Sequence, residues 1–248
     1  MFKLNKKLKK LPFLLFFLSA AILLPVLSAS SEGRKPIRWR AKKTVVVDPG
    51  HGGHESGARG PSGLLEKDVT LELARRIESA LNSRLKVSLT RTDDYGLEII
   101  RRTDVANHLK ADVFVSIHTG ASFRHDARGM RIFFFQENPS IASSALTAEK
   151  ETWDRLQLKH VEKSRKLAES LRSAMQQAVP AANCRVDDAP LLVLRGADMP
   201  AVLIEAGTLT NPEDEKRLAA QESLNLLAQA IADGVNDFLR QFEGRADQ

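Results

Sequence analysis

Apolar positions recur with two periods along this chain. Residues 44–48 (TVVVD), 85–90 (LKVSLT), 112–118 (DVFVSIH), 191–195 (LLVLR) and 201–206 (AVLIEA) are short runs rich in aliphatic and β-branched side chains. Such runs suit strands covered on both faces, whereas the alternation in 129–135 (GMRIFFF) suits a strand at an edge. From Glu66 to Asn82 the spacing of Val69, Leu73, Ile77, Ala80 and Leu81 predicts a helix, and 97–110 suits a second. Residues 140–179 contain neither glycine nor proline and predict one long helix or a broken pair. Asn211 followed by Pro212 reads as the cap and first position of a helix over 211–218, and 221–242 predicts a closing amphipathic helix. Strands alternating with helices predict an α/β fold: a single domain with a mostly parallel, twisted sheet of about six strands, flanked by helices on both faces.

The first thirty residues stand apart from this pattern. MFKLNKKLKK carries five lysines and no acid, LPFLLFFLSAAILLPVL is a 17-residue apolar run, and SASS follows. Charged, then apolar, then small is the order of a secretory signal, here residues 1–29 with cleavage after Ala29. An uncleaved membrane anchor is the alternative, although the run is short for a span and contains Pro12 and Pro25. A polar linker over 30–43, a catalytic domain over 44–243 and a short tail over 244–248 complete the expected organisation. After cleavage no stable membrane insertion is expected.

Charge alters the picture once the signal is set aside. The whole chain carries 37 basic and 31 acidic residues, and removal of the five signal lysines leaves 32 against 31. The basic excess therefore belongs to the targeting segment and gives no support to nucleic-acid binding. Cys184 is the one cysteine, so no internal disulfide can form and stability must come from the packed core.

Candidate chemistry begins in residues 45–69, VVVDPGHGGHESGARGPSGLLEKDV, where six glycines and two prolines separate a strand from a helix. His51 comes three residues after the first strand, His118 ends the 112–118 strand, and Glu66 opens the helix after the glycine loop. In open α/β sheets sites form at the carboxyl ends of strands, so these three residues are expected at one edge. Two imidazoles and a carboxylate are the ligand set of a catalytic zinc site with a fourth position open for water. Glu205 ends the last core strand and at that edge would act as a proton acceptor. Each residue alone has a plainer reading: a hydrogen-bonded loop histidine, an acid at a helix N-terminus, a partner for a buried arginine. The loop lacks GxxxxGK[ST] and GxGxxG, which argues against phosphate cradling.

DPGHGG…GARG..G..EKD, LTRTDD, RR.DVAN…ADVFVSIH and MPAVLIEAGTLTNPEDE, taken in order, resemble the zinc-dependent N-acetylmuramoyl-L-alanine amidases of the Amidase_3 type, bacterial cell-wall enzymes. The resemblance runs from about Val45 to Phe238. It implies one α/β domain that hydrolyses the amide between the lactyl group of N-acetylmuramic acid and L-alanine of the peptidoglycan stem peptide. Carried over by motif, His51, Glu66 and His118 would bind one zinc ion and Glu205 would be the catalytic glutamate. The chain departs from the family at Thr119 and Gly120 after His118, and at Ala206, Gly207 and Thr208 after Glu205. His54 stands where an acidic residue is common, and His108, His125 and His160 lie outside the motifs.

Some members of the family block the metal with an inserted helix that an activator protein removes. Residues 140–163, with Glu149, Glu151 and Glu162, lie where that insert occurs, so an activator is a possible partner beside peptidoglycan. Two other functions stand beside the amidase reading. One is a zinc peptidase or deacylase acting on another exported amide; the other is a catalytically silent wall-binding module on the same fold.

Overall fold

The computed structural model describes residues 42–81, 83, 85–124, 126–137 and 153–243. The expected signal, most of the linker, the C-terminal tail, Glu149 and Glu151 lie outside these residues. Six strands form one sheet: β1 (Thr44–Pro49), β2 (Lys86–Leu89), β3 (Val113–Gly120), β4 (Met130–Phe135), β5 (Cys184–Ala189) and β6 (Ala201–Thr208). Their order is β2-β1-β3-β6-β4-β5. The first four strands in that order are mutually parallel, β4 runs antiparallel to β6, and β5 runs parallel to β4. The mostly parallel α/β sheet expected from the sequence is the one observed.

Helices cover both faces, as the double burial of the strand runs requires. On one face α1 (Glu66–Leu81), α3 (Val161–Ala178) and α6 (Gln221–Glu243) pack on Val45, Val47, Val115, Ile117, Val202 and Ile204. The intervening residues Val46, Phe114, Ala201 and Leu203 turn to the other face, joined by Phe133 and Phe135 of β4. That second layer is smaller. It consists of α2 (Ile99–His108), the 3-10 helix Trp153–His160 and the one-turn helix α4 (Leu192–Arg195). Because strand side chains alternate, Ser116 and His118 follow Phe114 on this second face, Glu205 follows Leu203, and Arg131 precedes Phe133. The second layer therefore sits under the row that carries His118, Glu205 and Arg131.

Three expectations need correction. Of residues 191–195, Leu192–Arg195 form α4 rather than a strand. Only Leu194 of that segment is fully buried, while Leu192 is 62% exposed. The missing strand is β5, whose sequence CRVDDA has no apolar run because one edge and part of both faces meet solvent. Since β5 takes the edge, β4 is an interior strand, which explains its buried Ile132, Phe133, Phe134 and Phe135. Within 140–179 the described part is the 3-10 helix followed by α3. Glu162 there is exposed and paired with Arg165 and Lys166.

Two further readings can be placed. Asn211 caps α5 (Pro212–Ala219) by accepting from the amides of Glu213 and Asp214, with Pro212 in the first turn. Cys184 is buried, and burial pushes its thiol pKa up to about 11, so it behaves as a small apolar side chain. No helix among the described residues is long and apolar enough to cross a membrane.

Candidate metal and catalytic site

The strand-to-helix loop 50–65 folds back so that the start of α1 meets the ends of β1 and β3. Glu66 sits at the centre. Its Oε2 lies 3.2 Å from Nε2 of His51 and its Oε1 lies 3.1 Å from Nδ1 of His118. The amides of Ala58 and Thr119 donate to the same two oxygens at 2.8 and 2.9 Å. Burial acts to raise the pKa of Glu66. The hydrogen bonds from His118, His51 and the two amides overcome it and hold the carboxyl well below the usual carboxylate range. The hydrogen bond to Glu66 raises the pKa of His51 against the opposing effect of burial. The two imidazoles meet edge to face with centroids 5.0 Å apart.

Glycine is required in this loop because the backbone touches the site. A Cβ on Gly50 would lie 2.4 Å from the His118 ring. At Gly57, where φ is +67°, it would lie 2.5 Å from Oε2 of Glu66 and 2.6 Å from the His51 ring. His51 itself has φ of +59°, an uncommon conformation for a non-glycine residue.

Two buried arginines hold that conformation. Arg102 donates to the carbonyls of Pro49 and His51, and Arg91 to those of Pro49 and Gly50. Arg102 also pairs at 2.9 Å with Asp48, which is wholly buried and accepts from Thr90 and Ser116 as well. Arg91 belongs to LTRTDD and Arg102 to RR.DVAN, so these motifs supply the support behind the histidine. Removing one partner of such a pair strands a buried charge. Arg102→Met is therefore expected to cost about 3–5 kcal/mol, read as a fall of roughly 10 °C in Tm in thermal unfolding of the purified chain. A smaller fall than with a surface arginine such as Arg101 would remove this account of the motif.

Glu205 stands beside the three-residue cluster. It pairs in register with His118 across β3 and β6, and with Arg131 across β6 and β4. Burial raises its pKa, with Arg131 and His118 opposing and Glu66 assisting. Among the described residues no side chain hydrogen-bonds or ion-pairs with it, so the reading of Glu205 as one half of a buried ion pair does not hold. A cleft of about 560 Å³ opens beside it, lined by Gly120, Ser122, Arg131, Arg185, Asp187 and Thr208 among others. Gly120, one of the departures from the family pattern, has a direct consequence here: a Cβ at this position would stand 3.2 Å from Oε2 of Glu205.

His51, Glu66 and His118 each offer a ligand atom within 4.8 Å of the other two. Nδ1 of His51 is 3.3 Å from Glu55 but lacks hydrogen-bond geometry, which leaves a buried ring nitrogen without a bonded partner. Two imidazoles and an ionised carboxylate form a donor set that suits zinc. The remaining histidines stand apart. His54 and His108 are exposed, His160 pairs with Asp198 at 3.1 Å, and His125 lies outside the described residues. Sequence reasoning missed Arg91, Arg102, Arg131 and Arg185, of which only the first two fall in the recognised motifs.

The chain is 31% identical over 230 residues to the N-acetylmuramoyl-L-alanine amidase AmiC of Neisseria meningitidis, covering 84% of this chain. It spans only 54% of that relative's length. It is 28% identical to the amidase AmiA of Escherichia coli over 89% of this chain and 85% of that one. The solved structure of the amidase AmiC2 of Nostoc punctiforme superimposes with a TM-score of 0.68 at 34% identity, covering 80% of this chain and 98% of the other. Residues 45–237 match the Amidase_3 family model, described as N-acetylmuramoyl-L-alanine amidase, and the chain therefore belongs to that family.

Proposed function

We propose that this chain is an exported zinc amidase that cleaves the bond between the lactyl group of N-acetylmuramic acid and L-alanine in peptidoglycan. The observation that carries this reading is the meeting of His51, Glu66 and His118 beside Glu205, in a chain of this family. Zinc, when bound by His51, Glu66 and His118, supplies a Lewis acid that polarises the amide carbonyl. Glu66, whose two oxygens accept from the amides of Ala58 and Thr119, contributes its negative charge to that site. Glu205 takes a proton from the attacking water and returns it to the departing L-alanine nitrogen, and its raised pKa suits both steps. Residues 1–29 would direct the chain out of the cytoplasm, where its substrate lies.

Digestion of purified muropeptides, with and without a chelator, tests the proposal by the masses of the products. An intact stem peptide together with a free muramic acid lactyl group is expected, and both should vanish with the chelator. Cleavage inside the stem peptide would instead identify a peptidase. No cleavage by a zinc-loaded, folded chain would identify a silent module.

A further inference from the structure

The antiparallel turn of β4 brings the starts of β4 and β5 to the same sheet edge as the ends of β3 and β6. The register then draws one line across four strands: His118 opposite Glu205, Glu205 opposite Arg131, and Arg131 opposite Arg185. All four side chains share one face, and Arg131, Arg185 and Glu205 line the same cleft. With strands about 4.8 Å apart, Arg185 stands roughly 10 Å from Glu205, the reach of two to three extended residues.

Four arginines line this cleft, and they differ in how they are satisfied. Arg124 pairs with Asp126, Arg128 with Glu213, and Arg131 with Asp187. Arg185 has no carboxylate partner among the described residues. Arg131 spends only its Nε on Asp187, and its guanidinium stands 4.5 Å from the centroid of the Phe133 ring. It is thus oriented by two contacts, while its terminal amino groups stay available for the two-point recognition a carboxylate offers.

We propose that Arg131 and Arg185 form a carboxylate clamp at the peptide end of the cleft. It favours acyl-peptides whose departing peptide carries a free carboxylate two to three residues beyond the scissile amide. This rests on the amidase reading above and adds an orientation to it: the peptide lies toward β4 and β5 and the sugar toward the opposite side. A muramic acid whose lactyl carboxyl is already in amide linkage brings no charge to a pair of guanidiniums, so the sugar gains nothing from that end.

The test uses two synthetic N-acetylmuramoyl tripeptides, identical except that the peptide carboxylates are free in one and converted to primary amides in the other. The parental chain is expected to show a kcat/KM at least about tenfold higher on the acid, the worth of one charge-assisted hydrogen bond. In Arg185→Gln this acid-to-amide ratio should fall to about one to two, through a rise in KM on the acid with kcat there held within about twofold. Arg185→Lys should keep part of the preference. Arg185 is exposed on an edge strand, so an unchanged Tm will show that folding is not the cause. A parental ratio near one, or a ratio that survives Arg185→Gln, overturns the clamp while leaving the amidase reading intact. Failure of the parental chain to cut either tripeptide at the lactyl amide overturns both.

Discussion

Glu205→Gln is expected to lower kcat on muropeptides by about 10²- to 10⁴-fold, the usual worth of a positioned general base. The change preserves the volume of the side chain and removes its capacity to accept a proton. Glutamine in this position still stands opposite His118 of β3 and Arg131 of β4, so the cleft should keep its shape. Zinc content, measured by elemental analysis, should match that of the parental chain because Glu205 is not among the three clustered residues. KM should move little. If turnover stays within tenfold of the parental rate while metal content is normal, Glu205 is not the base.

Loss of the metal is expected to be as severe. The parental chain should carry about one zinc ion, and chelation should abolish hydrolysis that added zinc restores. His118→Ala should bring zinc content to near none, and added zinc should no longer restore activity. The reason is visible in the geometry. Glu66 shares its two oxygens between the imidazoles at 3.1 and 3.2 Å, so removing one ring leaves a two-residue set and frees part of the carboxylate. The fold should survive, since His118 is only partly buried and lies near the end of its strand, two residues before Gly120, rather than in the apolar core. A His118→Ala chain that keeps full zinc occupancy would show that the ion sits elsewhere.

The two predictions draw on parts of the chain that differ in how plainly the sequence announces them. The central strands were legible because burial between two layers leaves little choice of side chain: TVVV, VFVSI and AVLI are apolar at nearly every position, and the buried Ser116 is satisfied by Asp48. β5 was not, because an edge strand meets water and its CRVDDA reads like a loop. The neighbouring LLVLR misled for the converse reason, since a few aliphatic residues suffice to seat one helical turn against a sheet. In the candidate site, His51, Glu66, His118 and Glu205 were legible from their places at the ends of predicted elements. The arginines were not. Arg91 and Arg102 act on backbone carbonyls of a loop some forty to fifty residues away, and no local pattern marks a side chain for that task.

What the linear chain determines by itself is the set of local choices: which segments are strands or helices by period, where glycine frees the backbone, which side chains can bind a metal or move a proton, and that Cys184 can form no internal disulfide. Strand direction and register were decided only in three dimensions. The row His118–Glu205–Arg131–Arg185 exists because β4 turns antiparallel to β6 and draws β5 with it. Pairing of that kind depends on hydrogen bonds and burial between residues far apart in sequence, and a one-residue slip would send each of those side chains to the opposite face.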